Sequence, residues 1–490
     1  MKQSIPDWLS VLQQETHTAI IAGHHRWTYH ELYRVCAVFA QRLSRLGVKQ
    51  GDKVAVLARH PLAFAAVLHA SRFLGTILVP VNTRLAVPEI VWQLEDAEVS
   101  FFISDTGHES LLKSVVASLH HSISVVVLDG EHMDSDGEAL EPGRIDLDAI
   151  QSIMYTSGTT GHPKGALITY GNHLYGATMS GFRLGIRDDD CWLTSMPLFH
   201  VGGQAVLLRS VIYGTTASIH ERFDETLFNQ EIDSGTISLV SVVPAMLARM
   251  IEGRTTPYPK QLRCVLLGGG PAPKPLLVRC AQLQIPVSQS YGLTEANSQA
   301  ATLKPSESLV KLGSAGKPLV MNEIRIVDDA GNDVPVGEPG EIILRGPTIT
   351  SGYYHKEEAN KKAFKDGWFY TGDIGLLDAE GYLYMLDRRH DLVISGGENI
   401  YPAEVEAVLL SHEAVSEAGV TGVANDRYGQ VPIAFVVLRS GYEAVSAWQL
   451  KEFCRARLAH YKVPTDVRFV THLPRNASLK LLRRELLQWV

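Results

Sequence analysis

The sequence predicts an α/β protein: a large N-terminal domain of layered α/β subdomains plus a β-rich subdomain, followed by a small α+β C-terminal domain. Two observations carry this. Strand-like apolar runs alternate with amphipathic helical runs through the first two-thirds of the chain, the pattern of βαβ units. The chain has 490 residues, more than one hydrophobic core normally holds. The first unit is a strand at Lys53–Leu57, a helix at Pro61–Leu74 and a strand at 77–81. The alternation returns at 99–104, 124–128, 237–243 and 263–267, each run followed by Pro, Gly or polar breakers. From Asn322 the pattern changes to short strands between turn residues, at Glu323–Val327, 340–344 and 381–386, which marks the β-rich subdomain. Beyond Asp387 a further α/β stretch begins, helical at 404–410, strand-like at 434–438 and helical at 446–458, so the domains are expected at 1–387 and 388–490. The acidic stretch 129–136 reads as a surface loop.

Composition narrows the function classes. With 45% hydrophobic and 20% charged residues the chain sits among folded globular proteins. A formal net charge of −8 without a long Lys/Arg run argues against nucleic acid as a partner, so any anionic ligand must be held by a local site. The five cysteines, Cys36, Cys191, Cys264, Cys280 and Cys454, are far apart and odd in number, which suits neither a disulfide framework nor a zinc knuckle. No stretch reaches the apolar length of a membrane span and the N-terminus lacks a signal-peptide core, so a cytoplasmic enzyme without membrane insertion is expected.

The segment Tyr155-Thr156-Ser157-Gly158-Thr159-Thr160-Gly161-His162-Pro163-Lys164-Gly165 follows an apolar strand-like lead-in and combines three glycines, four hydroxyls and one lysine. Glycines let backbone N–H groups approach phosphate oxygens, hydroxyls add neutral donors, and Lys164 adds a compact positive charge. It is not a Walker A loop: counting from Gly158, Pro163 stands where the second glycine should be and Gly165 where the hydroxyl should be. Composition alone reads equally as a flexible Gly/Ser/Thr turn.

The order of residues decides between these. YTSGTTGHPKG resembles the phosphate loop of the adenylate-forming superfamily of acyl-CoA ligases, peptide-synthetase adenylation domains and beetle luciferases. Further motifs follow in that superfamily's order: Tyr291-Gly292-Leu293-Thr294-Glu295, Tyr370-Thr371-Gly372-Asp373, Asp387-Arg388 with the run from Ser395 to Glu404, and Pro474-Arg475-Asn476-Ala477-Ser478 with Lys480. The resemblance spans nearly the whole chain.

It implies an acid–thiol ligase that uses ATP, Mg2+ and coenzyme A as co-substrate, with a C-terminal domain that is mobile and rotates between adenylation and thioester formation. Thr156, Ser157, Gly158, Thr159, Thr160, Gly161 and Lys164 would hold the phosphates, Glu295 with Thr156 the metal, and Thr294 would lie beside the phosphates. Asp373, assisted by Arg388, would hold the ribose; a turn aspartate is the plain alternative. Adenine would lie between Gly268-Gly269-Gly270-Pro271 and Tyr291-Gly292, where glycines allow close approach and the ring offers a stacking face, although both fit ordinary packing as well. Lys480 would bridge the carboxylate and the α-phosphate during adenylation, Ser395, Gly396 and Gly397 would face the pantetheine thiol, and His390 stands at the hinge position usually held by Asp or Lys. Leu479 replaces the glycine that many relatives carry before the lysine. A homo-oligomer is also implied.

The acyl pocket is expected along 197–203, with His200 gating the carboxylate and Gly202 and Gly203 behind it. Further wall residues come from Gln289, Ser290, Gly292 and 297–299, a more polar lining than a fatty-acyl tunnel wants. That favours a compact acid, and finer resemblance in SMPLFHVGG, KLGSAGKPL and PRNASLKLLR implies 2-succinylbenzoate, an intermediate of menaquinone biosynthesis. Its aromatic carboxylate would then need its own partner: Arg209, Lys317 or a bound water. The rival expectations are another small- or medium-chain acid, an adenylation partner that loads a carrier protein, or a degenerate binding protein, against which the intact Lys164, Glu295, Asp373 and Lys480 argue.

Overall fold

A computed structural model of the chain describes residues 3–130, 133–156, 163–269, 272, 274–308, 310–387, 393–400, 402–442, 444–474 and 483–490. The predicted unit Lys53–Leu57, Pro61–Leu74, Ile77–Pro80 forms as part of a six-stranded sheet, whose order runs Lys164–Thr169, Ile150–Thr156, Ile77–Pro80, Lys53–Leu57, Phe101–Asp105, Ser124–Leu128. Lys53–Leu57 lies at its centre with parallel partners on both sides. Its side chains alternate: Val54 and Val56 enter one hydrophobic cluster, Ala55 and Leu57 another.

The first cluster also takes Ile20, Trp192, Ala217 and Leu239 from a nine-stranded sheet. Helices Tyr29–Arg45 and Pro61–Leu74 supply much of the apolar material shared by the two sheets. Local chemistry explains their ends. Thr28 and Glu31 form a reciprocal cap on the first; the second starts on Pro61 and stops at Gly75, whose φ of +67° is left-handed. Beyond the nine-stranded sheet, helices Glu225–Asp233, Pro244–Ile251 and Lys274–Gln282 cover its other face.

The β-rich stretch is a five-stranded antiparallel sheet of Glu323–Val327, Gly340–Arg345, Phe364–Lys365, Trp368–Leu377 and Leu383–Asp387. The C-terminal sheet, also of five strands, has its own core around Val393, Val405, Val436 and Leu450. Here the structure lengthens one expectation and trims another: 434–438 is the end of the strand Gly429–Leu438, and the helix is Ala447–Arg455, capped by Ser446. The expected boundary at 387/388 borders residues 388–392, which lie outside those described. Among the described residues no helix is long and apolar enough to cross a membrane. All five cysteines are free and buried, and none lines the large cavity described below.

Asp190 ties three segments together. Its carboxylate accepts from Arg263 Nε (2.8 Å), Ser238 Oγ (2.7 Å) and the Arg187 amide (2.9 Å), and Arg263 also donates to the Leu184 and Gly185 carbonyls. Burial alone would raise the Asp190 carboxyl, but the hydrogen bonds from Arg263, Ser238 and Arg187 outweigh it and hold it below the ordinary aspartate range. This stabilisation is complete above the ordinary aspartate range and disappears as pH falls through the lower native value. Asp190→Asn is expected to lower the thermal midpoint at neutral pH by about 2–5 °C, with the gap to the parent chain closing in acid, as scanning calorimetry across pH will show.

Candidate active site

One cavity of about 1550 Å³ runs between the nine-stranded sheet, the β-rich sheet and the C-terminal sheet. Its phosphate end is built by a hairpin. Lys164–Thr169 returns antiparallel along Ile150–Thr156, with Lys164 opposite Thr156, so both ends of the Gly/Ser/Thr segment are pinned side by side. Ser157, Gly158, Thr159, Thr160 and Gly161 lie outside the described residues. Thr156 and Lys164 line the cavity, and Thr156 Oγ1 is 3.4 Å from Glu295 Oε1. Glu295 sits in the short helical turn Thr294–Ala296, nearly buried, and Thr294 lines the cavity beside it.

Glu295 has a partner that sequence reading missed. Tyr353, itself buried, donates from its hydroxyl to Glu295 Oε1 at 2.8 Å, and the Lys164 ammonium lies 5.3 Å from the Tyr353 ring centroid. One carboxylate and one hydroxyl are hard oxygen donors and suit Mg2+. Among the described residues no group of three His, Cys, Asp or Glu could hold a metal alone, so Glu295 would share the ion with phosphate oxygens, the usual arrangement for magnesium.

The ribose end comes from the strand Trp368–Leu377. Asp373 lines the cavity and accepts from Tyr291 Oη at 2.8 Å. Thr371 and Gly372 are anchored to Ile342 O and Glu341 Oε1, which fixes the turn that presents it. Here the structure corrects the expected stacking face: the Tyr291 ring packs in a core with Phe369 and Leu383, so Tyr291 orients Asp373 and does not wall the cavity. Gly268, Gly269 and Gly292 do line it; a Cβ at Gly292 would stand 1.7 Å from Ser298 O. Gly270, Arg388, His390 and Lys480 lie outside the described residues.

At the acyl end His200 and Gly202 line the cavity, along with Met196, Phe199, Ser290, Ser298 and Gln299. Three other residues expected there do not, nor does Lys317, an expected carboxylate partner. Gln289 faces the opposite side of its strand and donates to Ser314 O, Asn297 is buried and donates to Asn172 O, Gly203 is packed against Pro197 O within the first turn of helix Val201–Tyr213, and Lys317 lies over the Tyr382 ring. Arg209, in contrast, reaches the cavity from that helix while almost fully buried. Its Nη2 has no hydrogen-bond partner, and burial lowers its pKa, with only Tyr213 opposing the shift.

The C-terminal sheet closes the mouth. Gly397 lines the cavity, whereas Gly396 bonds back to Tyr428 O and Ser395 is buried in the sheet. Next to Gly397, Glu398 accepts from Arg84 Nη1 at 2.7 Å and lies 3.3 Å from His200 Nε2. Burial would raise the Glu398 carboxyl, but the His200 hydrogen bond and the charges of His200, Arg84 and Lys462 outweigh it and hold it below the usual carboxylate range.

Removing the hydroxyl that aims Glu295 tests the phosphate end: Tyr353→Phe is expected to raise the Mg2+ concentration for half-maximal diphosphate release about tenfold while the fold survives, as a magnesium titration will measure.

The chain matches the AMP-binding enzyme family over residues 9–354 and the AMP-binding enzyme C-terminal domain over residues 404–480. It is similar to the 2-succinylbenzoate–CoA ligase of Geobacillus sp. (strain WCH70), at 46% identity over 100% of this chain and 98% of that protein. It is also similar to the o-succinylbenzoate CoA synthetase of Bacillus subtilis. A double mutant of that enzyme bound to its product analogue OSB-NCoA superposes with a TM-score of 0.92, at 42% identity over 99% of this chain and 98% of the other. The same enzyme in complex with ATP and a magnesium ion superposes with a TM-score of 0.74, at 43% identity over 99% and 100%. Sequence and fold thus agree with these relatives along nearly the whole chain, and the chain belongs to the family of AMP-binding, adenylate-forming enzymes.

Proposed function

We propose that the chain is an AMP-forming acid–thiol ligase that joins 2-succinylbenzoate to coenzyme A in two half-reactions. In the first, an oxygen of the succinyl carboxylate attacks the α-phosphorus of ATP; the P–O bond to diphosphate breaks and the acyl-adenylate forms. In the second, the coenzyme A sulfur attacks the acyl carbon, the C–O bond to AMP breaks, and the thiol proton leaves to solvent. Both steps crowd anions, so they need fixed positive charge and hard-cation chemistry at the phosphates. Bound Mg2+ neutralises phosphate charge as diphosphate leaves. Lys164 draws the phosphates in, Glu295 with Thr156 holds the ion, Asp373 orients the ribose, and Gly397 leaves room for the thiol. Lys480 and Arg388 keep the adenylation and ribose roles that the motifs imply, and His390 the hinge.

One observation carries the choice of acid. Arg209 is a buried guanidinium on the cavity wall, its Nη2 has no hydrogen-bond partner, and among the described residues no carboxylate pairs with it. A buried cation without a counter-charge is costly, and a diacid supplies the missing carboxylate on binding. Of the partners open at the outset, Arg209 is favoured over Lys317, which lies away from the cavity. The domain boundary is placed at 387/388, with units 1–387 and 388–490. A homo-oligomer, supported by the family resemblance alone, and a cytoplasmic location, supported by five free and scattered cysteines, complete the reading.

The higher TM-score to the product-analogue complex, 0.92 against 0.74 at matching identity and coverage, supports a further point. The C-terminal unit stands in the arrangement of the second half-reaction, with Gly397 at the cavity and Lys480 kept for the other arrangement.

AMP release measured with 2-succinylbenzoate, malonate, benzoate and octanoate tests the acid: turnover with 2-succinylbenzoate exceeds the others, and Arg209→Met raises its KM at least tenfold and erases the preference, the loss of about 1.4 kcal/mol or more. Equal turnover across the panel in the parent chain would sink the assignment. Lys480→Ala abolishes diphosphate release yet spares acyl transfer from supplied acyl-adenylate to coenzyme A; equal loss in both steps refutes the role given to Lys480.

A further inference from the structure

Besides the His200–Glu398 contact, three polar contacts between the C-terminal unit and the rest of the chain gather on one short segment, 82–89. After the strand Ile77–Pro80, Asn82 donates to Tyr461 Oη (3.1 Å) and Arg84 donates to Glu398, and in the first turn of the helix Val87–Asp96 Glu89 accepts from Lys462 Nζ at 2.9 Å. Lys462 donates at 2.8 Å to Glu404 as well, so one ammonium stands between a carboxylate of each unit. This triad is dry: the side chains of Lys462, Glu89 and Glu404 are 5%, 11% and 8% exposed. Burial would strip the Lys462 proton, but Glu404, Tyr461 and Glu89 outweigh it and hold its pKa above the ordinary lysine range. The other oxygen of Glu89 caps its own helix, accepting from the Ala86 amide at 2.9 Å, so the carboxylate is aimed before the units meet.

A buried ion pair adds little over a well-packed apolar contact, yet breaking it or reversing one charge is severe. It therefore discriminates between arrangements sharply. In the observed one, Lys462 is neutralised from both sides; in any other, Glu89 is left to water and Lys462 keeps only Glu404.

We propose that Glu89 and Lys462 are positioning residues for thioester formation: their ion pair holds the C-terminal unit where Gly397 and Glu398 face the cavity, and it opens for adenylation. This rests on the two-step ligase reading above. Neither residue touches the reacting atoms; each acts by fixing which sheet surface faces the acyl group. The pair spans 373 positions of chain and anchors beside the strand that pairs Leu78 with Ser152, leading directly into the phosphate segment.

The test separates the half-reactions in the full chain. Diphosphate release is followed with ATP and 2-succinylbenzoate in the absence of coenzyme A, and acyl transfer is followed from supplied acyl-adenylate to coenzyme A. Glu89→Lys, which sets two ammonium groups against each other, is expected to slow transfer at least about thirtyfold and to leave adenylation within about threefold. Glu89→Gln keeps the helix cap and is expected to slow transfer by a smaller factor, about threefold to tenfold. Combining Glu89→Lys with Lys462→Glu and Glu404→Gln restores one ion pair across the two units without setting a carboxylate against Glu404, and is expected to recover at least about tenfold of the lost transfer. Unchanged transfer in Glu89→Lys, equal loss in both steps, or no recovery in the triple exchange overturns the proposal. Failure of the parent chain to run either half-reaction would instead overturn the ligase reading itself.

Discussion

Everything at the phosphate end depends on one antiparallel ladder. Pairing Lys164 with Thr156 brings the two ends of an eleven-residue segment, 155–165, to adjacent positions, and it does so at the rim of a sheet whose interior is fully packed. With its two ends held side by side, Thr156 and Lys164 meet Glu295, which lies 139 positions from Thr156 in the sequence. The same ladder reaches the connection between Gly340–Arg345 and Phe364–Lys365 through an isolated bridge between Ala166 and Tyr353, so the tyrosine that aims Glu295 is registered by the hairpin itself. The metal donor, its orienting hydroxyl and the lysine thus share one reference frame.

Charge is handled differently along the cavity. In the reading proposed above, Lys164 and Thr156 receive anions that arrive with nucleotide and leave as diphosphate, and partial solvent access suits that traffic. Arg209 is desolvated with Nη2 unpartnered, and in the same reading a diacid pairs with it whereas a monoacid leaves it unpaired. At the mouth, Glu398 is shared between Arg84 and His200, so its charge is satisfied only when the C-terminal sheet is docked.

The layered α/β architecture was legible because the central strand is apolar on both faces and is followed by a Pro-started, Gly-ended helix. The motif residues were legible because their order, unlike their composition, is specific. What sequence could not resolve was side-chain parity and distance. In the strand Val287–Tyr291, Ser290 faces the cavity and Gln289 the core, and a polar run such as QSYG carries no signal of which side is which. Tyr291 followed the same parity into the core, where its hydroxyl alone reaches the site. Glu89 carries no motif of its own: it caps its helix locally, while its contact with Lys462 spans 373 positions of chain. Tyr353 sits in the pair Tyr353-Tyr354, where nothing local marks one ring as buried against a carboxylate.

The burial of all five cysteines acquires a meaning from this chemistry. An acyl-adenylate is an electrophile that any accessible thiolate would intercept, and the protein must hold it beside a thiol substrate without reacting itself. Burial pushes the Cys191, Cys264 and Cys454 thiols up to about 12 and Cys280 up to about 11, so each stays protonated at neutral pH. With none of them on the cavity wall, the incoming sulfur is the one thiol that meets the activated acid, and the enzyme is protected from acylating its own cysteines.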